Sequence, residues 1–201
     1  MQKMITIKAL RFVIPMLGLL LSACTTQNAT VVDVGALRPE VDTLYLMPLV
    51  DARTDKSSVF DADDIKRLRD SAAKNLEALG YAVKQVDAWK SEQPVADDAL
   101  ANMTADDLCK LAPPDANVFL VITINHVSAH YFGLAASYSI KGTAVAINSA
   151  QHKEIWHHGG SASRGMVGVS GSLVSQIAKK AGAQGDLMDT VFSSFPKKGA
   201  N

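Results

Sequence analysis

Val118-Phe119-Leu120-Val121-Ile122-Thr123-Ile124 is almost wholly apolar and rich in β-branched side chains. A strand covered on one face alternates apolar with polar residues; an unbroken run predicts burial on both faces. Such a strand needs a layer above and a layer below it. The flanking sequence supplies both.

Upstream, Leu44-Tyr45-Leu46-Met47-Pro48-Leu49-Val50 reads as another buried strand, with Pro48 pushing its end to an edge or bulge. A helix follows. Asp61, Asp63 and Asp64 crowd its start, where negative charge suits the dipole, and Ile65, Leu68, Ala72, Leu76 and Leu79 recur at helical spacing. Gly80 stands where a left-handed residue ends a helix. Tyr81 to Val86 is the next strand, and strand–helix–strand order predicts parallel pairing. Asp87 to Asn102 is looser. Thr104 and Asp107 approximate a capping box before Leu108, Leu111 and Ala112, and Pro113-Pro114 stops that helix.

Downstream, Leu134 to Ile147 and Glu154 to Ser163 read as two strands joined by Asn148 to Lys153, with no room for a helix between them. That predicts an antiparallel meander. Gly165 to Gly171 is a glycine-rich loop. Leu173, Ile177, Ala181, Gln184, Met188, Val191 and Phe195 then trace one long helix, with kinks expected at Gly182 and Gly185 and an end before Pro196. Lys197 and Lys198 suit its negative C-terminal pole. The expected fold class is α+β: a mixed sheet of about five strands in order β-α-β-α-β-β-β-α, with helices packed on it.

The N-terminus carries a different signal. Lys3, Lys8 and Arg11 precede the apolar stretch Phe12 to Leu21, which is short for a membrane span but suits the core of an export signal. Ser22 and Ala23 are small enough for a peptidase to approach the backbone before Cys24. The domain plan is therefore a signal peptide at 1–23, a polar tether at 24–40 with Val31 to Val34 adding a short strand, one α/β domain at 41–196 and a tail at 197–201. Removing the leader's three basic residues from the chain's 20 leaves 17 against 20 acidic residues, a formal charge of −3. This weakly acidic balance leaves no electrostatic footprint for nucleic acid.

The chain has two cysteines, Cys24 and Cys109. Where the Cys24 thiol is modified at the leader's end, Cys109 has no partner within the chain. It reads as a small buried hydrophobe, or as the site of an intermolecular disulfide; neighbouring Asp106 and Asp107 do not favour a reactive thiolate.

Other candidate chemistry is sparse. His126 and His130 are spaced H-x-x-x-H, but they leave a strand, where four residues span roughly 13 Å, too far to share one ion. A metal site across strands, combining His126 or His130 with His157, stays open; His157 and His158 point to opposite faces, and His152 completes the set. Gly168-Val169-Ser170-Gly171-Ser172 fails the nucleophile-elbow pattern because Ser172 occupies the second glycine position, so Ser170 or Ser172 reads better as a helix cap. The loop also lacks the Lys-Ser/Thr pair of a phosphate-binding loop. Tyr131, Phe132 and Trp156 are candidate partner contacts, with packing against the sheet as the competing role.

Leu21-Ser22-Ala23-Cys24 resembles the lipobox of bacterial lipoproteins, which implies diacylglycerol on the Cys24 thiol. Thr25, where aspartate would be a retention signal in lipoproteins of the enteric type, implies sorting to the outer membrane. The strand Leu44 to Arg53, the turn Leu79-Gly80-Tyr81-Ala82-Val83, and Ala116 to Ile124 with a later strand ending Glu154-Ile155-Trp156 resemble the TolB N-terminal-domain-like lipoproteins. That group includes CsgG-type secretion lipoproteins, penicillin-binding-protein activators and small families of unknown function. The likeness spans roughly 41–195, although Ala150 to Trp156 lacks the glycine of a G-x-x-x-W tract. It implies a non-enzymatic envelope assembly, secretion-accessory or scaffold role on the periplasmic face of the outer membrane. No cofactor is implied. The expected partners are the membrane, through the lipid, and an envelope protein or a second copy. Binding of a metal or small ligand is the alternative.

Overall fold

The computed structural model describes residues 28–30, 41–56, 60–132, 135–167 and 173–199; side chains at 28–30, 131–132, 135, 166–167 and 173–179 are outside the description. The elements are β1 (Asn28–Thr30), β2 (Thr43–Leu46), β3 (Val50–Asp51), α1 (Ala62–Ala78), β4 (Ala82–Gln85), α2 (Asp97–Ala101), α3 (Ala105–Leu111), β5 (Val118–Phe132), β6 (Ala135–Asn148), β7 (Lys153–Val167) and α4 (Leu173–Phe192). The α+β mixed sheet is as expected.

The sheet runs β1-β7-β6-β5-β2-β4, and β3 also pairs with β5. β2 lies parallel to β4 and β5, as the strand–helix–strand order predicts. β5, β6 and β7 form the antiparallel meander. The first half of β5 is covered on both faces. Val118, Leu120, Ile122 and Ile124 face α1 and α4; Phe119 and Val121 pack in a second core with Leu100, Leu108 and Ala112 from the α2–α3 side.

Boundaries differ from the sequence reading in several places: β7 runs on to Val167, so the start of the loop expected at Gly165–Gly171 is strand, and α2 forms within the stretch expected to be loose. The strand expected over Leu44–Val50 is split by Pro48, which has no N–H to donate; both pieces keep parallel pairing to β5, but only β2 pairs with β4. β5 continues past Ile124 to Phe132 through a bulge at Asn125, where its partner on β6 steps only from Gly142 to Lys141. The bulge inverts the alternation, so Val127 and Ala129 join the α1–α4 core while His126 and His130 turn outward. The segment read as tether contributes β1, antiparallel to β7; the strand expected at Val31 to Val34 falls outside the described residues.

α1 starts with a reciprocal capping box: the Asp61 side chain accepts from the Asp64 N–H, and the Asp64 carboxylate accepts from the Asp61 N–H. Gly80 at φ +98° ends it, a conformation strained for any residue with a Cβ. α4 is continuous through Gly182 and Gly185. Gly182 makes room for the Arg164 guanidinium, which would lie 2.7 Å from an added Cβ. Its inward residues are Ala183, Gln184, Leu187, Met188, Val191 and Phe192, whereas Ala181 is exposed. The helix ends at Phe192, and Lys198 pairs with Asp42.

Trp156 is fully buried (0% exposed), with Phe192 stacked at 6.0 Å and Phe195 edge-on at 4.8 Å. The sequence reading as a partner contact is therefore corrected: Trp156, His158, Gly160 and Ala162 lie on the face of β7 that α4 covers. Replacing it, Trp156→Ala, should cost about 3–5 kcal/mol of unfolding free energy in urea titrations, the usual range for deleting a fully buried large aromatic.

Candidate functional site

The bulge at Asn125 and the turn after β3 enclose a cleft of about 260 Å³, lined by Arg53, Thr54, Asp55 and the β5 residues Asn125 to His130. The cleft exists because β3 stops pairing at Asp51 and the backbone of Ala52 makes the last bond, to Ile124 O at 3.0 Å. Beyond that point β5 keeps only its β6 neighbour among the described residues. Arg53 is buried against Asp51, with Nε donating to Oδ1 at 2.8 Å and Nη2 to Oδ2 at 2.9 Å. Its guanidinium sits 4.6 Å over the Phe60 ring, and Nη1 has no hydrogen-bond partner among the described residues. Burial pushes the Asp51 carboxyl up, but the Arg53 and Lys56 donors outweigh it and hold it below its ordinary value. With Arg53 already paired to Asp51 and the Asp55 carboxylate also in the lining, the cleft can hold a small polar group.

His126 and His130 line this one cleft. His157 does not join them. It faces Val145 on β6 and Thr30 on β1, 3.3 Å from Glu154. His126 aligns through Lys141 with Ser161, four residues along β7 from His157. That is roughly 13 Å along the strand and two strand spacings, about 10 Å, across it. The cross-strand metal site combining His157 with His126 or His130 is thus not assembled, and no group of three metal-binding side chains occurs among the described residues.

His158 is buried on the opposite face of β7 from His157. Its ring stacks 6.1 Å from Trp156, and Nδ1 is hydrogen-bonded to the Ser194 hydroxyl at 2.8 Å. Burial, and to a lesser degree His157, lowers its pKa. His152 pairs with Asp106 at 2.7 Å. Cys109 is half-buried against the α2–α3 core, and burial followed by Asp106 raises its thiol pKa, so it behaves as a packing residue.

The most buried polar cluster was invisible to motif reading. Asp64 (0% exposed) accepts from Arg67 at 2.8 Å and Gln184 at 2.9 Å, and also from Lys180. Burial raises its pKa, but these donors together bring it below the ordinary carboxylate value. This cluster welds α1 to α4. Asp61 to Asp64 read only as a helix start, because Lys180 and Gln184 lie far off in sequence.

Residues 1–27, including Cys24, and the loop holding Ser170 and Ser172 lie outside the described residues. So do the side chains of Tyr131 and Phe132, whose backbones end β5 opposite Ala136 and Ala135. No described helix is long and apolar enough to cross a membrane.

No family model and no curated protein sequence matches the chain. Several solved structures align with much of the chain at TM-scores below 0.5. A PelC dodecamer from Paraburkholderia phytofirmans is 13% identical, with TM-score 0.46, covering 85% of this chain and 96% of that one. A lipoprotein from Neisseria meningitidis is 17% identical, TM-score 0.46, covering 68% and 90%. A minor lipoprotein from Acinetobacter baumannii is 12% identical, TM-score 0.39, covering 78% and 96%.

Two pH responses follow. Asp64 has a depressed folded pKa, so its stabilisation is present above the unfolded value of about 3.9 and is lost as pH falls through the folded one. Asp64→Asn should lose about 3 kcal/mol at neutral pH, because it leaves Lys180 poorly compensated, and the acid limb of its stability profile should flatten. His158 also has a depressed folded pKa. Its contribution is complete above the unfolded value of about 6.5 and declines below it, where only the unfolded chain takes the proton. Denaturant midpoints measured between pH 7 and 5 should fall, and His158→Gln should fall less steeply.

Proposed function

We propose that this chain is a lipid-anchored protein of the outer membrane, facing the periplasm. Its α/β domain acts by docking onto an envelope partner or a second copy, without catalysis. The observation that carries this reading is the tripartite leader ending Leu21-Ser22-Ala23-Cys24. A basic start, a short apolar core and small residues before a cysteine are what lipid transfer to a thiol and cleavage at its amine require. Anchoring then supplies effective concentration, so a modest interface suffices. One acyl chain binds reversibly; a triacylated cysteine, at roughly 0.8 kcal/mol per buried methylene, holds firmly.

The cleft beside Arg53 supports a second reading, a periplasmic small-ligand-binding lipoprotein. Its volume of about 260 Å³ is below the roughly 300–1,000 Å³ of drug-sized sites. A small polar molecule suits it better than a drug-sized one. Metal analysis of the purified protein tests the histidine variant of that reading, and an ion-free protein removes it.

Growth with radioactive palmitate should label the chain, and Cys24→Ala should abolish the label and release the protein from outer-membrane fractions. An unlabelled protein recovered in osmotic-shock fluid overturns the anchor. Crosslinking in intact cells should capture protein neighbours; capture of none counts against docking.

A further inference from the structure

On a strand, the edge toward which a residue's N–H and C=O point alternates together with the face its side chain takes. In the first half of β5, Leu120 and Ile124 turn their side chains to the α1–α4 core. Their carbonyls point to the β2–β3 edge and accept from the Met47 and Ala52 N–H groups, each at 3.0 Å. The Asn125 bulge shifts the count by one, so Val127 and Ala129 take over that face. Their main-chain groups therefore point to the β3 edge, while those of His126, Ser128 and His130 turn to β6. Beyond Ala52 no described strand pairs with that edge.

Such an edge offers donors and acceptors at strand spacing, roughly 6.6–6.8 Å between successive outward-pointing residues, a pattern that another extended backbone matches. The Arg53 cleft lies along it. Val127 and Ala129 are part of its lining, and Arg53, Thr54 and Asp55 form the remaining wall. That wall is fixed before anything binds: two hydrogen bonds hold Arg53 to Asp51, its guanidinium sits over the Phe60 ring, and the Ala52 bond to Ile124 holds the chain behind it. A slot walled on both sides admits one strand rather than the edge of a second sheet. Its volume of about 260 Å³ suits a residue or two of extended chain, each filling roughly 160 Å³ from the rise and the strand and sheet spacings. Arg53 is already compensated by Asp51, so the cleft suits neutral amide groups better than an ion. The β4 edge is a poorer template. It is four residues long and carries exposed Lys84 and Gln85, the kind of edge that discourages pairing.

We propose that the cleft binds an extended peptide segment of an envelope partner, which adds a strand to the Val127–Ala129 edge of β5 in line with β3. Main-chain hydrogen bonds supply the attachment. Alternate side chains of the segment lie beside Val127 and Ala129 on one face and beside His126 and Ser128 on the other. This places the docking described above at one edge of the sheet and rests on that reading.

The test follows amide hydrogen exchange of the full chain in detergent micelles. The probe is a short peptide of alternating threonine and valine with a lysine at each end. Without peptide, the Val127 and Ala129 amides should exchange at least about tenfold faster than those of Val121 and Thr123, which pair with β6. Saturating peptide should slow the first two by about tenfold or more and leave the others unchanged. The same peptide N-methylated at every amide should not bind. Ala129→Pro removes an edge-facing N–H but no bond to β6, so it should fold and weaken the peptide by about fivefold, the share of one main-chain bond. If that variant does not fold, exchange on the unaltered chain decides. Val127 and Ala129 amides that are protected before peptide is added, or that peptide leaves unchanged, overturn the site. Protection at Ala82–Gln85 instead overturns it in favour of the β4 edge. In-cell crosslinks that still capture neighbours separate a failed cleft from a failed docking role.

Discussion

Everything in this fold leans on the pairing of β5. Its first seven residues are covered by a ladder on each edge and a hydrophobic layer on each face, with β2 and β3 to one side and β6 to the other. A backbone so enclosed has no water to replace a lost hydrogen bond, and each unpaired buried group costs about 1–3 kcal/mol. Register there is accordingly strict, and a slip of one residue would trade the Leu120 face for the Phe119 face. The bulge at Asn125 is the point where that enclosure ends. Past it, β5 keeps one strand neighbour among the described residues, the outward residues become polar, and the cleft opens.

The two helices on the larger core are fastened by a charge rather than by apolar contact alone. Asp64 is withdrawn from water, yet it collects four donors from two helices. Desolvation of a carboxylate is expensive unless its lone pairs are filled, so this arrangement specifies how α1 lies against α4. The Asp51–Arg53 pair repeats the logic at the start of the cleft. Both pairs fix geometry at places where the sheet changes from enclosed to open. β1 also ties the N-terminal segment to one edge of the same sheet.

Element order was legible in the chain because periodicity is local. The run Val118 to Ile124, the Leu68–Ala72–Leu76 spacing and Gly80 each declare their structure within a few residues. The misjudged details are those that depend on distant partners. Trp156 looked like a contact residue until α4 covered it. His157 looked able to join His126 until the register put them four residues apart. Asp64 read as a helix start because Lys180 and Gln184 are over a hundred residues away.

The sequence by itself determined the strand and helix succession and the caps, since each depends on covalent neighbours or on side chains one or two turns apart. Only the tertiary structure decided which face each strand shows, which carboxylates are buried, and which edge of the sheet the N-terminal segment joins. Those outcomes depend on register and on the Asn125 bulge, and a register is a relation between two strands that neither one encodes alone.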